Sequence, residues 1–333
     1  MLSPRTGGPA HPQVHLGERD GEVPRDAHRV FHRARKVARA RGSRAPVTLR
    51  CVHVAVVGHV EWIEFARVEG VPLAGEIVHA EDNWQEPGGG GAVAAVQMAK
   101  LAGGATLFTA LGDDELGHRA RDELIALGLR VEVAWRDEPQ RRGFVHVDAA
   151  GERTITVIGE RLGPRGDDTL PWEELSEVDC VYFTAGDAAA LRASRTAHTL
   201  VATSRGLSTL IDAGVELDAL VASGNDAGEH YERGQIEPEP RVVVRTAGAA
   251  GGQWERPDGE SGRWQATPLP GPMSDAYGCG DSFAGGLTYG LGAGMALDDA
   301  LGLGARCGAA NFTGRGPYEA QLSGRPPSRP RAR

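Results

Sequence analysis

Asp275-Ala276-Tyr277-Gly278-Cys279-Gly280-Asp281-Ser282-Phe283, followed by the small-residue run 284–294, is the stretch that decides the fold. A glycine-rich turn that opens directly onto a helix leaves several backbone N–H groups without intrahelical acceptors, all aimed at whatever lies in front. Such a turn suits an anion. Asp281 falls where the helix begins, and an aspartate there is either a stabilising cap or a general base held beside a phosphoryl-transfer path.

The same alternation of turn and element runs through the rest of the chain. Residues 47–57 are rich in β-branched side chains and end at Gly58, which predicts a buried strand feeding a binding loop. After Pro87, four glycines run into residues 92–101, a small-residue helix that stops at Gly103 and Gly104. Strands are predicted over 105–110, 180–184, 199–202 and 242–245, and helices over 116–127 and 297–312. Strands alternating with helices imply an α/β fold, a doubly wound, mainly parallel sheet covered by helices on both faces. Two segments break that rhythm. Residues 62–84 and 142–158 alternate apolar and polar side chains with few helical signals, the second around a turn at Ala150-Gly151-Glu152, and predict strand additions.

Composition limits the alternatives. A chain of 333 residues with 41% hydrophobic content can bury one large α/β core or two ordinary ones. It lacks a run of about 18 apolar residues and the apolar centre of a secretory signal, so a cytoplasmic protein without a membrane span is expected. Cys51, Cys180, Cys279 and Cys307 are far apart with no C-x-x-C spacing, which argues against a zinc knuckle or a disulfide scaffold and for reduced thiols. Residues 1–45 carry a net charge of +6 and the remainder −15, and an acidic body does not suit a nucleic-acid binder. The expected organisation is a basic, disordered extension over 1–46, an ordered domain over 47–320 and a disordered tail over 321–333 containing Pro326, Pro327 and Pro330. Within the extension, 27–40 is a short helical candidate in which His28 and His32 lack a third ligand partner.

Residues 275–283 resemble the C-terminal signature of the ribokinase-like (PfkB-type) carbohydrate kinases, and the resemblance covers about residues 50–320. It implies transfer of the γ-phosphoryl group of ATP to a hydroxyl of a sugar, with Asp281 as the base and Gly278, Cys279 and Gly280 as the anion hole. The strand additions within about 60–85 and 141–158 would form a small lid over the sugar, excluding water that could hydrolyse the donor. Gly88, Gly89, Gly90 and Gly91 after Pro87 are similar to the family's N-terminal glycine signature, which approaches the sugar closely, with Gly58 nearby. Thr246, Gly248 and Gly251 match its T-x-G-x-x-G segment beside the nucleotide. Asn225-Asp226-Ala227-Gly228-Glu229 falls where the family has an N-x-x-E motif that arranges Mg²⁺, so Asp226 and Glu229 become the metal candidates, an exposed acidic helix cap being the alternative. Some members also take a monovalent cation such as K⁺ on backbone carbonyls, and members are often homodimers. Gly112-Asp113-Asp114-Glu115-Leu116-Gly117 resembles a structural turn of the family. Lys36 and Lys100 are the only lysines and no P-loop motif occurs, nor does a G-x-G-x-x-G follow the first strand.

The departures lie in the sugar pocket. Ile63 and Val93 stand where the family usually places an aspartate and an asparagine that bond sugar hydroxyls. A site built for a hydroxyl discriminates strongly against ligands that cannot satisfy it, so the acceptor is not expected to bind as ribose does. His59, Glu61 and Trp62 offer other groups: Glu61 could accept from two hydroxyls and Trp62 could stack on a ring, or His59 and Glu61 belong to a solvent-facing loop. Two other readings stay open, a nucleoside (adenosine-type) kinase of the same fold and a non-catalytic sugar- or nucleotide-sensing protein.

Overall fold

The structure is a computed structural model and describes residues 51–324. The helical candidate at 27–40 with His28 and His32, residues 47–50 of the first predicted strand and the prolines of the tail lie outside the described residues.

In chain order the first elements are β1 (Val54–Val57), β2 (Glu61–Arg67), β3 (Asp82–Gly88), α1 (Gly90–Ala102), β4 (Ala105–Gly112), α2 (Glu115–Ala126) and β5 (Leu129–Arg136). Next come β6 (Arg142–Val147), β7 (Arg153–Ile158), β8 (Cys180–Phe183), α3 (Ala188–Ser194), β9 (Thr199–Thr203), α4 (Leu207–Ala213) and β10 (Ala219–Ser223). The chain continues through β11 (Val243–Thr246), β12 (Gly252–Glu255), β13 (Ser261–Trp264), α5 (Cys279–Gly292) and α6 (Leu297–Asn311). Nine strands form the main sheet in the order β13-β12-β11-β10-β9-β8-β1-β4-β5, and only the β11–β12 and β12–β13 pairings are antiparallel. The expected α/β, doubly wound architecture is present.

Both faces of the sheet are covered, as the apolar strands require. Val54 and Val56 of β1 join one apolar cluster with residues of α1, α5 and α6, while Ala55 and Val57 join a second with Leu191 of α3 and Leu210 of α4. In β8, Cys180 and Tyr182 face the first cluster and Val181 and Phe183 the second. A strand wrapped on both sides reads as a continuous apolar run, which is why these strands stand out in the sequence. Helix α1 is buried from Gly91 to Ala99, so it has no polar stripe. It stops at Gly103, whose left-handed backbone (φ 91°) lets its N–H donate to the Ala99 carbonyl.

The additions at 62–84 and 142–158 form a separate four-stranded sheet in the order β3-β2-β6-β7. Its inner face buries Ile63, Phe65, Val145 and Val147 against the main body, whereas β7 is exposed along its whole length. Phe65 stacks on Trp84 at 4.7 Å and meets Tyr277 edge-on at 5.2 Å, which ties this sheet to the turn before α5. Burying a side chain of that size stabilises the fold by about 1.5–3 kcal/mol. Among the described residues no helix is long and apolar enough to cross a membrane.

Strand order locates the cleft. From β1 the chain builds outward through β4 to β5, then returns across β1 to β8 and continues to β11. The reversal falls between β1 and β8, and open α/β sheets bind ligands beyond the strand ends at such a point. Replacing Leu200, fully buried in β9, by alanine is expected to cost about 2–5 kcal/mol, read as a lower urea midpoint with an unchanged denaturant slope.

Candidate active site

At the reversal point three stretches of backbone meet. A Cβ on Gly58 would lie 2.1 Å from Thr184 Oγ1 and 2.9 Å from Gly91 Cα, and a Cβ on Gly91 would lie 2.6 Å from the His59 carbonyl oxygen. No side chain fits there, so only glycine allows the end of β1 to cross the start of α1. The other parallel strands deliver their ends to the same edge: Thr184 follows β8, Arg205 follows β9, Asp226 and Glu229 follow β10, and Gly248 and Gly251 follow β11.

The turns before α1 and α5 are clamped together. Gly89 N–H donates to Tyr277 Oη at 2.9 Å and Gly90 N–H to His59 Nε2 at 3.4 Å. Asp275 is fully buried and organises the second turn by accepting from Tyr277 N–H (2.8 Å) and Gly316 N–H (3.1 Å). The segment after α6 then straps both turns: Tyr318 donates to the Pro87 carbonyl at 2.7 Å, and Gln321 to the Val93 carbonyl at 2.9 Å and Ser282 Oγ at 3.1 Å. Gln321 is buried, so the packed part of the chain passes the expected boundary at 320.

Gly278 begins α5 in the left-handed region (φ 78°), where a Cβ would also strike Val93 Cγ1 at 2.8 Å. Cys279 N–H turns back to the Ala276 carbonyl at 3.4 Å, whereas the N–H groups of Gly278, Gly280 and Asp281 have no partner among the described residues. Of the three residues assigned to the anion hole, Cys279 therefore contributes least. The space above Gly280 is open, with nothing within 4 Å of a built Cβ. Asp281 Oδ1 lies 2.8 Å from where a Cβ on Gly90 would be, which brings the two glycine signatures into one site.

Asp281 is not a cap. Asp114 and Asp187 accept from N–H groups of their own helices at 2.9 and 2.7 Å, but the Asp281 carboxylate makes no hydrogen bond or ion pair among the described residues. Burial, then the nearby charge of Glu229, pushes its pKa up to about 6, with Arg153 and Arg205 pulling the other way. A lone carboxylate with a raised pKa beside unpaired amides is suited to taking a proton near neutral pH.

The metal candidates lie together but are engaged. Arg205 bridges Asp226 (2.5 Å) and Glu229 (2.8 Å), and its hydrogen bond, with one from Gly228 N–H, holds Asp226 below the usual aspartate range. Two carboxylates beside a phosphate path are a fitting donor set for Mg²⁺, which keeps several waters and takes few protein ligands. Past β11, Gly248 and Gly251 adopt positive φ (54° and 81°) and Ala247 N–H closes the turn on the Gly251 carbonyl at 2.8 Å. That turn adjoins the β10 end, where Gly224 N–H donates to the Thr246 carbonyl at 2.8 Å.

On the acceptor side the sequence reading needs correction at Trp62. It is fully buried, with its ring under the Arg119 guanidinium at 4.4 Å, so it offers no stacking face. His59 and Glu61 are buried as well rather than solvent-facing. Glu61 Oε1 sits 2.7 Å from Arg141 Nε, and burial raises the carboxyl pKa against the pull of that guanidinium. Burial, with Arg161 and Arg141 beyond it, keeps His59 neutral. Gly88 packs on Ile63 and Tyr277, with Cβ distances of 2.6 Å to each, so Gly90 is the signature glycine beside Asp281. Tyr277, Arg141, Thr184 and Arg205 escaped the sequence reading. Tyr277 alone had a signal, its place inside the signature.

A family model for pfkB family carbohydrate kinases matches residues 52–205 and 213–323. The chain belongs to that family. It is a carbohydrate kinase, an ATP-dependent phosphotransferase with an alcohol acceptor, as the expectation had it. It is similar to an ATP-dependent ribose-1-phosphate kinase of Halopiger xanaduensis, 27% identical over 261 residues, which span 71% of this chain and 83% of the relative. Its fold matches the crystal structure of ribokinase from Thermotoga maritima (TM-score 0.66, 20% identity, covering 82% of this chain and 97% of that one). It also matches that of adenosine kinase from Sinorhizobium meliloti (TM-score 0.65, 20% identity, covering 80% and 95%).

The unpartnered carboxylate has a stability consequence. Its folded pKa of about 6 lies above the ordinary 3.8, so folding disfavours the ionised form, and the penalty is present above about pH 6 and gone near pH 4. Asp281→Asn is expected to unfold later than the parent chain at pH 8, by roughly 1–3 kcal/mol, with the difference vanishing near pH 4 in parallel urea titrations.

Proposed function

We propose that this site transfers the γ-phosphoryl group of ATP in line to a hydroxyl of a sugar of about pentose size, with Asp281 as the general base. The carrying observation is the isolated Asp281 carboxylate, its pKa near 6, next to the unpaired N–H groups of Gly278, Gly280 and Asp281. As the new O–P bond forms and the bond from the γ-phosphorus to the bridging oxygen breaks, releasing ADP, Asp281 takes the hydroxyl proton while those amides face the charge that builds on the transferring group. Thr246, Gly248 and Gly251 border the nucleotide, where a side-chain-free turn admits phosphate and ribose oxygens. Asp226 and Glu229 would hold Mg²⁺, which when bound neutralises charge on the donor phosphates. Arg205, between those carboxylates, keeps a cation beside the phosphate path in either case.

Gly58, Glu61 and the glycines before α1 form the acceptor end, and the β3-β2-β6-β7 sheet acts as its lid. The relatives named for ribose 1-phosphate and ribose support a pentose frame. The reaction belongs in the cytoplasm, where ATP is abundant and free thiols such as Cys51 stay reduced.

ADP release over a panel of sugars tests the assignment. Asp281→Asn is expected to lower kcat by at least about 100-fold. For the parent chain, log(kcat/KM) should rise with unit slope up to a pH of about 6 and then level, because only the ionised carboxylate accepts a proton. The variant should lack that limb. Undiminished turnover in the variant overturns the role given to Asp281.

A further inference from the structure

The acceptor end holds several hydrogen-bond donors without a partner in the protein. Arg161 makes no hydrogen bond or ion pair among the described residues, whereas Arg141 and Arg205 are each matched to a carboxylate. Its place follows from the backbone on either side. A Cβ on Gly159 would lie 3.8 Å from Arg141 Cα, Leu162 is buried, and a Cβ on Gly163 would lie 3.3 Å from Gly186 N beyond the end of β8. The segment thus crosses from Arg141 to the β8 end, and Arg161 lies on it with its side chain exposed to solvent. Its charge bears on His59, Glu61, Arg141 and Arg205.

Two buried polar atoms at this end of the cleft are also orphaned. His59 Nδ1 and Thr184 Oγ1 have no partner, although the residues are only 7% and 2% exposed. Because the neutral His59 accepts from Gly90 N–H at Nε2, its proton sits on Nδ1, which is therefore a donor. Arg141 is fixed in place: Gln140 Nε2 donates to the Val60 and Arg141 carbonyls at 2.9 and 3.2 Å, and the Trp62 N–H donates to the Arg141 carbonyl at 2.9 Å. Glu61 pairs with Arg141, and Arg161 has no carboxylate in direct contact. The positions that would accept from neutral hydroxyls, Ile63 and Val93, are apolar and filled, packing on Gly88 and Gly278. Neighbouring cations and buried donors without acceptors are unfavourable until an anion enters.

Resting on the sugar-kinase reading above, we infer that the acceptor is an already anionic sugar whose charged group, a phosphomonoester or a carboxylate, is held between Arg161 and Arg141 over His59 and Thr184. Guanidinium groups match both oxyanions through paired N–H···O bonds. The reaction that supplies this acceptor must therefore leave a phosphate or an acid group on the sugar, and the product carries two anionic groups.

The test uses the full chain with Mg-ATP and three acceptor sets on one carbon frame: ribose, ribose 1-phosphate with ribose 5-phosphate, and ribonate. The expected result is a kcat/KM at least about 100-fold higher for a charged member than for ribose. Preference for the monophosphates assigns a phosphomonoester, and preference for ribonate a carboxylate. Arg161→Gln should reduce that preference about 10–100-fold through the KM of the charged acceptor, with a smaller change in the KM for ATP. Ribose turning over as well as the charged sugars overturns the inference, as does a variant whose KM rises for ATP instead. Calorimetric titration without ATP keeps the two readings apart. Charged sugars that bind the parent chain more tightly than Arg161→Gln support the anion site even if no ADP is released, an outcome that counts against the kinase reading alone; equal binding by both chains overturns the site.

Discussion

The crossing at Gly58 is the constraint from which the rest of the site follows. The end of β1, the start of α1 and the residue after β8 approach within van der Waals contact, and any side chain at Gly58 or Gly91 would force them apart. Protein interiors are close-packed and transmit such a displacement rather than absorb it. Moving α1 outward by the width of a methyl group would carry Gly89 away from Tyr277 and Gly90 away from Asp281. The chemistry therefore depends on two glycine backbones touching beside Thr184, far more than on any one charged pair.

Charge is arranged differently at the two ends of the cleft. Near the β10 and β11 ends, Arg205 is shared between two carboxylates, a balanced set that exchange of partners with a phosphate can rearrange. At the acceptor end, Arg141 and Arg161 face a single glutamate over two neutral donors. Between them stands Asp281, ionised at neutral pH despite its surroundings. Holding such a group without a partner weakens the fold locally, a common trade between stability and function.

The sequence disclosed those parts of the molecule that depend on backbone geometry. Left-handed turns and close approaches require glycine, so Gly58, Gly91 and Gly278 are visible as letters. The doubly buried strands β1 and β8 are visible as apolar runs. Elements defined by fewer residues were missed, among them α3 and α4, of seven residues each, and β10, whose run Ala219–Ser223 is too short to separate strand from helix. Side chains whose meaning comes from distant register were hidden as well. Arg141 matters because β2 pairs in parallel with β6, setting Trp62 opposite Arg142 and Glu61 beside Arg141. Trp62 was misread for a related reason: its exposure is decided by Arg119 of α2, which closes over the ring. Asp281 could be read as base or cap, and only the absence of a capping bond separates the two.

The strap from Gly316 to Leu322 governs when the enzyme can exist at all. Its bonds to Pro87, Val93 and Gln97 join residues 231, 228 and 225 positions apart. A ribosome releases the first glycine turn long before the residues that fasten it, and closing so long a loop is entropically late. A translation product that stops short of residue 316 would carry both signatures with their clasp missing, so phosphotransfer capacity waits for the strap itself to be made.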